Sequence, residues 1–205
     1  MTDTNRLETF ADGVFAIAIT LLVLGIAVPA AEVPLGEALT GLWPAFLAYA
    51  VSFLTIGIAW ANHHQLFTLI GRSNMTFAFI NVVFLMVIAF LPFPTELVAE
   101  RLASGVDAQL ATLLYGATWT AIAVMFNVVW LYASSGGGRL LKPDIEDRVR
   151  EVGARGYQYA PVGYLAVTLL AFISPLLSLA AILVYAIYWI LPISGFISPK
   201  GSTEQ

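Results

Sequence analysis

The chain has 205 residues, 60% of them hydrophobic and only 11% charged, with a mean hydropathy of +0.86. A soluble domain carries roughly 25% charged residues, so a soluble fold is excluded and an all-α integral membrane protein is expected, with its partner the lipid bilayer and no nucleic acid. The net charge of −4 decides little, because a membrane chain divides its charges between two sides, but the absence of cysteine excludes disulfides, thiolate metal ligands, thioether-linked haem and cysteine nucleophiles.

Apolar runs near the roughly 20 residues that cross a bilayer predict six spans, at 6–28, 37–70, 74–98, 108–133, 156–174 and 176–198. They leave no room for a soluble catalytic domain, and residues 1–205 read as one transmembrane domain. Starting inside, eight of the nine Lys and Arg residues fall on the cytoplasmic side and only Arg101 outside. Both termini are therefore expected in the cytoplasm. A cleaved signal peptide ending near Val28-Pro29-Ala30 is not expected, since Asp3, Glu8 and Asp12 accompany a single Arg6 ahead of the apolar run.

The first span opens with Asn5 and Glu8 at capping-box spacing. Between Asp12 and Val28 its only polar side chain is Thr20. At about 100° per residue, Phe10, Gly13, Ile17, Thr20, Leu21, Leu24 and Val28 share one narrow face, while Asp12 points well away from it. Spacing alone favours ordinary helix packing for this face, although such a ladder also suits a pore closed by apolar rings. Asp12, a carboxylate in a span, is expected to be buried against a cation or a hydrogen-bond donor.

The second run is longer than one crossing and is expected to start among the headgroups, anchored by Trp43 and Tyr49. It carries both histidines, His63 and His64, after Trp60. Adjacent histidines point about 100° apart, and with no third His and no Cys a metal or haem site is not expected. Hydrogen bonds to Asp12, Asn81 or a backbone carbonyl are the expected role. The third run closes on Phe90-Leu91-Pro92-Phe93-Pro94-Thr95, read as a helix end at the outer surface. Asn81 and Asn127 are expected to make interhelical hydrogen bonds.

Ser134-Ser135-Gly136-Gly137-Gly138 reads as a flexible link. After it, Pro143 suits a first helical turn, and Ile145, Val149 and Val152 recur at helical spacing, predicting an amphipathic helix into the fifth span. Ser174-Pro175 is the expected turn between the last two spans.

Three motifs together resemble one family. Arg6, then Phe10-Ala11-Asp12, then the apolar run, is similar to the Arg-x-x-x-Phe-Ser-Asp signature of the bacterial branch of the transmembrane protein 175 potassium channels. Trp60-Ala61-Asn62-His63-His64 and Pro92-Phe93-Pro94-Thr95 resemble that family's second- and third-helix motifs. Ala11 stands where the family usually has Ser.

The resemblance implies a homotetramer with four first helices around a pore and no filter loop. Ile17 would be the narrowest gate, with Leu21 and Leu24 as further apolar layers and Thr20 as the selectivity hydroxyl. Arg6, Asp12, Trp60, His63, His64 and Asn81 would form a polar scaffold. It implies permeation of K+, more weakly of Na+, with no cofactor, no resident metal and no enzymatic activity, in the bacterial plasma membrane. A small secondary transporter is the alternative, for which no inverted repeat is evident.

Overall fold

The structure, a computed structural model, describes residues 4–138, 140–143 and 147–190. Among these the secondary structure is helical, apart from isolated bridges at Ile70, Leu141 and Ser73. Four helical stretches are long and apolar enough to cross a membrane: Asn5–Gly25, Trp43–Leu69, Met75–Ser104 and Ala108–Gly136.

Helix α1 is Asn5–Leu21, continued by a 3₁₀ turn, Leu22–Gly25. Its start differs from the capping box expected at Asn5. Thr4 holds the cap position, and its hydroxyl donates to Glu8 Oε1 at 2.7 Å, so Asn5 is already helical. Ile26 is extended, and Val28 therefore lies beyond the helical face to which its spacing assigned it.

The expected long second run is two helices, α2 (Leu35–Gly41) and α3 (Trp43–Leu69). Pro44 has no N–H for the carbonyl four residues earlier and its ring crowds that turn, which breaks the chain at Leu42. The third run departs from its expected end in the opposite direction. Helix α4 (Met75–Phe90) passes through Leu91 into α5 (Pro92–Ser104). Leu91 keeps right-handed helical angles and its N–H bonds Ile88 O at 3.1 Å, covering the carbonyl that Pro92 cannot serve. The prolines thus open a new helix in the same direction, and the turn comes at Gly105, in the left-handed conformation (φ 71°) that a glycine C-cap adopts.

Helix α6 runs Ala108–Gly138, so Ser134 to Gly138 extend a helix rather than forming a flexible link. Ser134 and Ser135 return their hydroxyls to Trp130 O and Tyr132 O, both at 2.8 Å. Pro143 sits in a turn ahead of α7 (Asp147–Leu169) rather than in its first turn. Ile145 and the side chains of Val149 and Val152 lie outside the described residues. A 3₁₀ turn, Leu170–Phe172, and Ser174 lead into α8 (Pro175–Ile190), giving the hairpin expected at Ser174-Pro175.

Packing follows the buried sides of these helices. Helix α1 lies on α3 and α4, α3 on α5 and α8, and α6 on α4, α5 and α7. Trp119, Trp130, Tyr115, Phe15, Phe67, Phe77 and Phe84 fill the interior. Two features fit α6 to α7. A Cβ on Gly116 would overlap the Thr168 side chain, so glycine permits the close approach. Pro161, inside α7, offers no N–H to Tyr157 O, and Asn127 Nδ2 donates to that carbonyl at 2.9 Å. Asn127 is thus interhelical, as expected. At the opposite end from Gly105, Ile70 bridges Leu141, and Gly71 N and Lys142 N bond Leu140 O and Leu69 O across the two loops.

Candidate functional site

Helix α1 has two unlike sides. Ala11, Phe15, Ala18 and Leu22 are at most 4% exposed and form its contact with the bundle. Roughly opposite, Phe10, Ile17, Leu21 and Leu24 are 53%, 60%, 43% and 75% exposed, with Gly13 and Thr20 also uncovered. Among the described residues, the helical part of the ladder identified from spacing is therefore left uncovered by the other helices. Small residues at Ala11 and Ala18 let α1 seat closely through its other side.

Thr20 Oγ1 lies 2.9 Å from both Ala16 O and Ile17 O. Its hydrogen is spent on its own helix, as is usual for Thr in a span. The oxygen lone pairs are left on the bare face, where they can accept a cation.

The rotation of α1 is set by polar and aromatic contacts near its N-terminal half. Trp60 Nε1 donates to Asp12 Oδ1 at 2.8 Å. Asp12 is therefore partnered as expected, yet it is exposed in the subunit rather than buried, because α1 turns it between its two faces. One helical turn deeper, Phe15 packs on the His63 ring with centroids 5.5 Å apart. His63 stacks between Phe67 and Phe84, at 4.5 and 5.2 Å, and its Nε2 meets Asn81 Oδ1 at 3.0 Å. These contacts tie α1 to α3 and α3 to α4. Asn81 is fully buried, and its Nδ2 has no partner among the described residues.

Two members of the expected scaffold stand differently. His64 is exposed and stacks on Trp60 at 6.2 Å, supporting the indole rather than bonding Asp12. Arg6 is exposed beside Asn5, Thr9 and Phe10 and forms no ion pair with Asp12 among the described residues. A six-residue separation on a helix puts two side chains about 120° apart from direct overlap, so the pair does not close within one chain.

A second polar cluster was not legible in the sequence. Buried Ser52 on α3 touches Thr95 Oγ1 at 2.9 Å and Tyr115 OH at 3.1 Å, joining α3, α5 and α6. Thr95 also donates to Leu91 O at 2.9 Å, bracing the proline junction. Scattered hydroxyls in apolar runs carry no periodic signal, and only the position of Thr95 after Pro94 hinted at it.

The fold is thus that of a helical membrane protein whose first helix is fixed by one side and bare along an apolar, one-hydroxyl ladder. Residues 6–92 match the family model for the endosomal/lysosomal potassium channel TMEM175. A potassium channel of Chamaesiphon minutus is 41% identical over 92% of this chain and 94% of its own, and one of Streptomyces collinus is 39% identical over 92% of each. The crystal structure of a lysosomal potassium-selective channel TMEM175 homologue from Chamaesiphon minutus superposes with a TM-score of 0.81 at 39% identity, covering 91% of this chain and 95% of that one. The chain belongs to the TMEM175 family of ion channels.

Proposed function

We propose that this chain is a potassium channel of the bacterial plasma membrane, assembled as a homotetramer with α1 of each subunit around a central pore. The observation that carries the reading is the bare ladder. Ile17, Leu21 and Leu24 are large aliphatic side chains left uncovered on a helix whose other side is sealed, and fourfold repetition about an axis turns them into stacked apolar rings. The names and structure of the close relatives support potassium as the permeant ion.

Ile17 forms the gate in this reading. A ring of four Ile side chains too narrow to hold water dewets and blocks ions, and a small dilation admits a partly hydrated cation. Thr20, one turn further along, offers four hydroxyl oxygens that replace some of the lost water. Potassium sheds water more easily than sodium, and with no carbonyl cage the preference is modest. Asp12, Trp60, His63 and Asn81 hold the helix at its working rotation without touching the ion, with His64 behind Trp60. The single domain spans the membrane six times, through α1, α3, α4–α5, α6, α7 and α8, with both termini in the cytoplasm.

The deciding experiment combines the mass of the detergent-solubilised particle with potassium flux into liposomes. A tetramer that passes potassium passively supports the reading. A monomer, or uptake that requires a coupled ion gradient as in a secondary transporter, overturns it.

A further inference from the structure

We infer that Glu96 is a permeation-determining residue, whose carboxylate raises the cation concentration at the outer mouth of the pore and thereby sets potassium conductance at low ionic strength. The inference rests on the channel reading above.

Glu96 lies on α5, which packs against the 3₁₀ turn that ends α1. A Cβ placed on Gly25 would sit 3.6 Å from both Glu96 Cβ and Cγ, so the stem of the glutamate runs along the last turn of the pore helix. Glu96 lines one open cavity at the junction of α1, α3 and α5, with Leu21, Leu24 and Gly25 on one side and Leu22, Ala48 and Tyr49 on the other. The carboxylate thus shares its solvent space with the outermost residues of the bare ladder.

Its position is held from behind. Thr95, the preceding residue, is locked to Ser52 and to Leu91 O, and the proline-started α5 continues the direction of α4. Were the chain to turn at Pro92, Glu96 would not reach the end of α1.

The charge is not neutralised. The loops and helix ends at this end of the bundle carry Glu32, Glu37, Glu96, Glu100 and Asp107 against one base, Arg101. Arg101 lies 3.8 Å from Glu100, and Glu96 has no ion pair among the described residues. Of these acids Glu96 alone lines the cavity with the ladder. Four copies around an axis place four unpaired carboxylates beside the outermost apolar ring, a geometry that focuses cations.

The test uses the full-length channel in planar bilayers, comparing Glu96→Gln with wild type in symmetrical KCl. The Debye length is about 30 Å at 0.01 M and about 3 Å at 1 M. Glu96→Gln is expected to lower single-channel potassium conductance roughly three-fold or more at the low concentration and to leave it within about 20% at the high one. Equal conductance at low salt overturns the inference while leaving the channel reading intact, and an equal reduction at both salts makes the effect structural and also overturns it. A wild-type protein that conducts no potassium strikes at the channel reading itself.

Because the chain holds no cysteine, Glu96→Cys gives a unique thiol. Attaching a sulfonate there should raise low-salt conductance, and a trimethylammonium group should lower it. Changes of the same sign with both reagents would reduce Glu96 to a steric neighbour.

Discussion

In the proposed tetramer, replacing Ile17 by Asn would put four polar amides where four alkyl groups exclude water, at nearly constant side-chain volume. Within its own subunit Ile17 is 60% exposed, so less than half of a burial worth roughly 1.5–3 kcal/mol for a whole Ile is at stake. The subunit should lose on the order of 1 kcal/mol at most. A flux barrier lowered by about 1.4 kcal/mol, which is about 0.35 kcal/mol per amide, already raises conduction ten-fold. We therefore expect potassium flux through reconstituted Ile17→Asn to rise about ten-fold or more, with the preference for potassium over sodium reduced. Ile19→Asn is the control, since Ile19 points about 200° around the helix and packs against the core. Its amide is forced among apolar neighbours at a cost of about 1–3 kcal/mol, and assembly should fall with no gain of flux. Flux in Ile17→Asn that is unchanged, or lost along with assembly as in the control, would refute the hydrophobic gate and return Ile17 to a packing role.

Thr20→Ala removes the one hydroxyl of the ladder and should lower the potassium-to-sodium permeability ratio in an intact tetramer; an unaltered bi-ionic reversal potential would count against it. Asp12→Ala deprives Trp60 Nε1 of its acceptor and should loosen the seating of α1, costing about 1 kcal/mol given the partial exposure of both groups, seen as a lower midpoint in detergent unfolding and altered open probability. Normal stability with normal currents would show the contact to be dispensable. Asn127→Leu removes the donor to Tyr157 O and should cost about 1 kcal/mol. In a Pro161→Ala background, where the helix supplies its own N–H, the same change should cost measurably less, and a double-mutant cycle with no coupling would exclude this account of the pair.

Much of the site was visible as one-dimensional pattern because helix periodicity is a local property. The face of Ile17, Thr20, Leu21 and Leu24 follows from 100° per residue whatever surrounds it, and the hairpin at Ser174-Pro175 follows from run length and proline. Asn81 and Asn127 announced interhelical bonds because an amide in a span must find a partner. The Asn127 partner was even encoded, since Pro161 leaves the carbonyl at 157 to another donor, but linking residues thirty apart requires knowing that α6 and α7 touch.

What the tertiary structure alone decided concerns which of two compatible conformations or partners prevails. Prolines at 92 and 94 suit either a helix end or a helix start, and the braces at Leu91 and Thr95 select the start, carrying Glu96 to the end of α1. Asp12 could have met Arg6, a histidine or Trp60, and the rotation that buries Ala11, Phe15 and Ala18 offers it Trp60. Sequence periodicity determined that α1 has an apolar ladder, but a stripe of aliphatic side chains looks the same whether it faces a core, lipid or a pore. Only the packed bundle, by sealing the opposite side of the helix, established that this stripe is left bare, because burial depends on residues distant in the chain and no local pattern encodes which face they will cover.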